Sequence, residues 1–194
     1  MDRRRAIKNI SGALLIGSSL TAILESCKTE SRLSWKPLYF SDDEALTIGS
    51  LADTILPRTD TPGALDVNVD IFIDKVVYGT YDDAGQKNLS SEIQLFNDYC
   101  KKNYRGKFAD LIEKDRHAVL SYYEKMDGKF NPRVWGTAVG DPEKIGFYRS
   151  MKSMILWAYT SSEAIGKNVL NYDPVPGVFK GCIEVEEVGN RWTF

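Results

Sequence analysis

Between Val69 and Val77, the residues Val69, Phe72, Ile73, Val76 and Val77 fall at i, i+3, i+4, i+7 and i+8. That spacing lines one face of an α-helix and leaves no room for the two-residue period of a half-buried strand. The same period recurs along the chain. Ile48, Leu51, Ala52 and Ile55 follow Ser41-Asp42-Asp43-Glu44, a capping box with acidic residues in the positive first turn, and Pro57 stops the element. Gly79 to Gly85 reads as a loop. Leu89, Ile93, Phe96 and Cys100 mark a third helix, and Phe108, Leu111 and Ile112 a short fourth. Asp115 is placed to cap a fifth through Met126, and Gly128 to Gly140, with Trp135, reads as an irregular connection. Asp141-Pro142-Glu143 has the cap-then-proline form that opens a helix, here one carrying Phe147, Met151, Met154, Ile155 and Ala158. Thr160 and Glu163 can box a last helix ending near Leu170. Two prolines and two glycines make 171–181 an extended loop, and weak alternation over 182–194 allows a short β-hairpin around Gly189-Asn190. The expected fold is a mainly α, single-domain helical bundle over 41–194 with an irregular Pro/Gly-rich C-terminal segment.

The N-terminus has a different grammar. Arg3, Arg4, Arg5 and Lys8 precede Ile10–Leu24, an uncharged, largely apolar run of 15 residues. A spanning helix needs about 20 apolar residues, so the run suits a signal-peptide core better than a permanent anchor. Leu24-Glu25-Ser26-Cys27 looks like a bacterial lipobox, in which the small residue admits the peptidase and the Cys27 thiol takes the lipid. Arg3-Arg4 also resembles a twin-arginine signal, although Ala6 and Ile7 stand where that signal has larger apolar residues, so both export routes stay open. The reading is a signal peptide over 1–26, a lipid-anchored tether over 27–40 and an exported, membrane-anchored product in the periplasm or cell envelope.

Cleavage before Cys27 removes four basic and two acidic residues, taking the formal charge from -2 to -4. Neither value provides a basic footprint for nucleic acid. It leaves two thiols, Cys100 and Cys182. As a pair in an oxidising compartment they read first as a disulfide closing about 80 residues, for which loop-closure entropy gives on the order of 4 kcal/mol. Alternatively Cys100 is a buried small hydrophobe on its helix face, and Cys182 is an odd thiol available to a partner.

Chemistry is sparse. No two glycines are spaced i, i+2, so a G-x-G-x-x-G dinucleotide loop cannot occur, and no Walker A run is present. The single His117 cannot build a zinc cluster, a haem attachment site or a di-iron bundle, and its neighbours Lys114, Asp115 and Arg116 suit a solvated helix residue. Tyr99, Tyr104, Tyr122 and Tyr123 read as core rim or interface. Met151 and Met154 read as packing, and Asp42/Asp43 and Glu186/Glu187 as capping or solvated positions. No catalytic, metal or cofactor-binding residue is expected.

Several blocks together resemble the small (third or gamma) subunit of membrane-bound gluconate 2-dehydrogenase and related flavin sugar dehydrogenases. They are Leu51-Ala52-Asp53-Thr54-Ile55-Leu56-Pro57, Thr59-Asp60-Thr61-Pro62-Gly63-Ala64, and Val69 through Phe72-Ile73-Asp74. Near the C-terminus follow Tyr159-Thr160-Ser161-Ser162-Glu163 with Gly166, then Leu170-Asn171-Tyr172-Asp173-Pro174-Val175-Pro176-Gly177 with Gly181-Cys182. The similarity runs from about Ser41 to Cys182. It implies a non-catalytic partner that helps a larger glucose-methanol-choline type flavoprotein fold, cross the membrane and stay attached. In such complexes FAD sits on the large subunit and haem c on a third, cytochrome c subunit. The matching Gly181-Cys182 favours Cys182 as the thiol that bonds outward.

Tyr172, Pro174, Val175, Pro176, Gly177, Phe179 and Cys182 are the expected partner contact. The two prolines fix φ, so the segment loses little entropy on docking. The same stiffness suits a strap packed on its own bundle. Two other classes compete with the accessory subunit. One is a free-standing lipoprotein binding module that would use Trp35, Trp135 and Trp192, and the other is an enzyme with an unrecognised site.

Overall fold

The computed structural model describes residues 33–128, 133–134, 137–138, 145–175, 177 and 181–193. The chain divides into two units, Met1–Ser34 and Trp35–Phe194, and the second is the folded domain described below. The readings on Arg3, Arg4, Cys27, Pro176 and Phe179 lie outside the described residues, as do those on Trp135 and Asp141-Pro142-Glu143.

The domain is mainly helical. α1 spans Asp42–Ile55, and its capping box forms as the sequence predicts: the Ser41 N–H donates to Glu44 Oε2 at 2.9 Å while the Glu44 N–H donates to Ser41 Oγ at 3.4 Å. Its buried stripe is Ala45, Ile48, Leu51 and Ala52. α2 spans Val69–Thr80 and buries Val69, Ile73 and Val77, whereas Phe72 from the same apolar series stays exposed. α3 runs Asp83–Tyr104 for 22 residues, roughly 33 Å at 1.5 Å per residue. The loop expected from Gly79 to Gly85 shrinks to Tyr81 and Asp82, because the Asp82 carboxylate caps α3 by accepting the Gly85 N–H at 2.8 Å.

The expected short fourth helix is a 3-10 turn, Phe108–Asp110, after which Leu111 is buried and Ile112 exposed. α4 spans Glu113–Met126, three residues earlier than an Asp115 cap would allow; Ile112 occupies its N-cap without a side-chain bond. In the connection that follows, the backbone pairs Arg133–Val134 antiparallel with Thr137–Ala138. α5 spans Phe147–Thr160. Its cap comes from the preceding helix: Asp127, at the end of α4, accepts the N–H groups of Tyr148 and Arg149 at 2.8 and 3.3 Å.

α6 spans only Glu163–Asn168, with Ser162 at its N-cap. The box expected from Thr160 does not form, since its hydroxyl donates back to the Leu156 carbonyl at 2.9 Å. The hairpin expected around Gly189-Asn190 is replaced by one helical turn, α7 (Val185–Val188), and by a parallel bridge between Asn171 and Trp192.

α1 packs on α2, α3 and the 3-10 turn, and α5 packs on α2 and α4. Phe96 of α3 is the hub, with ring centroids 5.1 Å from Phe108, 5.0 Å from Tyr123 and 5.3 Å from Phe147. Burying side chains of this size contributes on the order of 2 kcal/mol each. One polar relay crosses the core. The Asn97 amide donates to Thr47 Oγ1 at 2.9 Å and its Oδ1 accepts the Phe108 N–H at 3.1 Å, so every buried group there is paired.

Candidate partner-docking surface

The C-terminal segment is held at its ends and presented in its middle. The Asn171 N–H donates to the Arg191 carbonyl at 2.9 Å, and the Thr193 N–H donates to the Asn171 carbonyl at 2.9 Å. The Asn171 amide donates to the carbonyls of Val188 and Asn190, and the Asn190 amide returns to the Val169 carbonyl at 2.7 Å. Gly166 seats the returning chain on α6, because a Cβ there would lie 2.9 Å from Thr193 Oγ1.

Between those ends Tyr172 is 48% exposed and Val175 78% exposed, and Pro174, Gly177 and Cys182 also face solvent. The Asp173 carboxylate accepts the Val175 N–H at 3.1 Å, and Lys167 lies 5.9 Å from the Tyr172 ring centroid. The clamp formed by Asn171 and Asn190 escaped the sequence reading. Its signal was an asparagine at each end of a Pro/Gly-rich stretch.

A second feature brings distant blocks together. After α1 the chain makes a tight loop in which the Ala64 N–H donates to the Leu56 carbonyl at 2.9 Å and the Gly63 N–H to Asp66 Oδ2 at 2.8 Å. A Cβ on Gly63 would stand 2.6 Å from the Arg58 backbone nitrogen, so only glycine lets the two limbs approach. The Tyr159 hydroxyl donates to the Pro62 carbonyl at 2.7 Å, joining residues 97 apart in sequence. On the packed helices α2 and α5, Phe72 and Trp157 lie with ring centroids 5.2 Å apart, and they are 37% and 52% exposed. Paired, half-bare aromatics are the side chains on which interfaces concentrate their binding energy. Trp157 was not singled out from the sequence, because helical spacing alone places it on neither face with certainty.

The remaining candidates resolve as structure. His117 lies exposed with Nε2 3.7 Å from Glu113 Oε1. Tyr99 stacks on Tyr122 at 4.7 Å and meets Tyr123 edge-on at 5.3 Å, forming the rim of the core. Trp35 is half-buried and donates to Asp70 Oδ2 at 3.0 Å, while Trp192 remains exposed. Cys100 and Cys182 are not bonded to each other: Cys100 is fully buried and Cys182 exposed. Burial pushes the Cys100 thiol up to about 12, which keeps it protonated and a poor nucleophile at neutral pH. Among the described residues no three His, Cys, Asp or Glu side chains converge as a metal site, and no helix is long and apolar enough to cross a membrane.

The model of one family, gluconate 2-dehydrogenase subunit 3, matches residues 42–177. The chain belongs to this family. The matched span takes in all the helices from α1 to α6, the Pro62–Tyr159 junction and the start of the clamped C-terminal segment, through Gly177. No curated protein and no solved structure matches the chain. The family's description is that of a subunit of a gluconate 2-dehydrogenase-type complex.

Proposed function

We propose that this chain is the non-catalytic accessory subunit of a periplasmic, FAD-dependent sugar or sugar-acid dehydrogenase, assisting export, maturation and anchoring of the flavoprotein subunit. The observation that carries the reading is the family match over 42–177. In this reading FAD belongs to a glucose-methanol-choline type partner and haem c to a cytochrome subunit. This chain contributes the signal over 1–26, the acylated Cys27 and a docking face. Two acyl chains at about 0.8 kcal/mol per buried methylene give durable attachment.

The proposed docking surfaces are the C-terminal segment that exposes Tyr172, Pro174, Val175, Gly177 and Cys182, and the aromatic pair Phe72 and Trp157. The Asn171 amide holds the C-terminal segment at its base, and Phe72 and Trp157 sit on packed helices, so docking on either costs little ordering entropy. Affinity purification of the tagged chain from its native membrane tests the proposal. The expected result is a yellow flavoprotein in stoichiometric amount, and a separately purified chain with neither flavin nor haem absorbance that oxidises no sugar. Stoichiometric flavin in the isolated chain, or no flavoprotein in the eluate, would overturn it.

A further inference from the structure

The stretch Trp35–Phe40 contains no helix or strand, yet one buried carboxylate fixes it to the domain. Asp74 lies on α2 and is 1% exposed. Its Oδ2 accepts the Leu38 N–H at 2.6 Å, and its Oδ1 accepts those of Tyr39 and Phe40 at 3.1 and 3.0 Å. Among the described residues no cation pairs with Asp74, and these three backbone donors satisfy its buried carboxylate. Side-chain contacts reinforce the hold, and the Phe40 ring itself is buried, 5% exposed. The Trp35 indole N–H donates to Asp70 Oδ2, one turn earlier on α2, at 3.0 Å, and the Tyr39 hydroxyl meets Ser90 Oγ of α3 at 3.1 Å. The sequence reading counted these residues as tether through Phe40, whereas the folded unit takes in Trp35 onward.

We propose that Trp35–Phe40 is a strap latched by Asp74, separable from the helical body, and that the latch sets the free length of chain between Cys27 and the domain. The second half rests on the reading of Cys27 as acylated. A buried carboxylate bonded to three successive strap positions makes one side chain decisive for all of them, because hydrogen bonds to a charged acceptor are the strong ones. Release stops at Ser41, where the capping box ties the chain to α1. With the strap latched, the chain from Cys27 to Trp35 spans at most about 28 Å, and released as far as Ser41 it spans at most about 50 Å. The latch therefore keeps the domain, and whatever docks on it, near the bilayer.

Hydrogen exchange on the mature chain tests the latch. In Asp74→Ala the amides of Leu38, Tyr39 and Phe40 should exchange at least tenfold faster while those of α1, α3 and α5 keep their protection. Asp74→Asn, which retains one carbonyl acceptor, should fall between. Strap amides that stay protected would overturn the proposal, as would core helices that lose protection in step with the strap. If Asp74→Ala does not fold, Asp74→Asn and Trp35→Ala carry the same comparison. For the leash, energy transfer is measured from a dye on Cys182 to headgroup-labelled vesicles bearing the lipidated chain. Transfer should fall in Asp74→Ala, and unchanged transfer despite faster exchange would overturn that half. A wild-type chain that does not bind vesicles at all would refute acylation of Cys27 and leave the exchange result to decide the latch.

Discussion

Asp127 ends one helix and starts another. As the C-cap residue of α4 it sits beside Gly146, and its carboxylate supplies the cap that α5 lacks in its own sequence. Arg149 replies by donating to the carbonyls of Glu124 and Asp127 and by pairing with Glu124 Oε1 at 3.0 Å. Asp127→Ala should cost about 1–2 kcal/mol in urea unfolding, with Asp127→Asn costing less. Gly146→Ala should cost at least as much, because its Cβ would come within 2.1 Å of the Asp127 carboxyl carbon and push the cap away. The double variant should lose less than the sum of the two. Strict additivity would show that the cap is not what Gly146 protects. Cys100 supplies a pH dependence. Burial favours its protonated form and raises it from 9.0 to about 12, so its contribution to stability is intact below about pH 9 and is lost as pH rises toward 12. The wild-type chain should weaken across that window, and Cys100→Ala should weaken less steeply. Parallel pH profiles would refute the assignment.

Elements whose signals are local could be read directly from the sequence. The α1 capping box lies within four consecutive residues, and the faces of α2 and α3 are periodic. What could not be read has its cause elsewhere in the chain. The α5 cap stands about twenty residues upstream, and the hold on Trp35–Phe40 is Asp74, 34 to 36 residues downstream. Phe72 keeps the helical period of its neighbours but reaches the edge of the α2–α5 contact, where Trp157 meets it in the open. The irregular course of the C-terminal segment is legible from its prolines and glycines, whereas the Asn171 clamp depends on carbonyls 17 and 19 residues away that no spacing rule names. Asn171→Ala should therefore leave the helices intact and loosen what they present. Limited proteolysis should cut within 172–190 while 41–168 resists. Cleavage spread evenly across both would mean that the clamp belongs to the core.

At the scale of the molecule, the docking face and the two thiols make linked predictions. Replacing Val175 and Phe179 with Ser should weaken co-purification of the flavoprotein more than it lowers the melting temperature, and the reverse order would favour a strap serving its own bundle. The thiols extend the argument, because they are unequal. Cys100 lies fully buried against the Phe96 hub with its proton held to about pH 12, so pairing it requires the core to open. Cys182 is exposed, follows Gly181 and lies in the segment proposed to meet the partner. Thiol–disulfide exchange needs an accessible thiolate, and only one of the two can present it without unfolding. If the chain is exported as proposed, a disulfide formed there should run outward from Cys182. Non-reducing electrophoresis of the native complex should show a band at the summed mass of this chain and the flavoprotein, lost in Cys182→Ser and kept in Cys100→Ser. A lone chain whose stability falls equally with either substitution would establish an internal bond instead. That bond would require Cys100 to leave the position it holds in this fold.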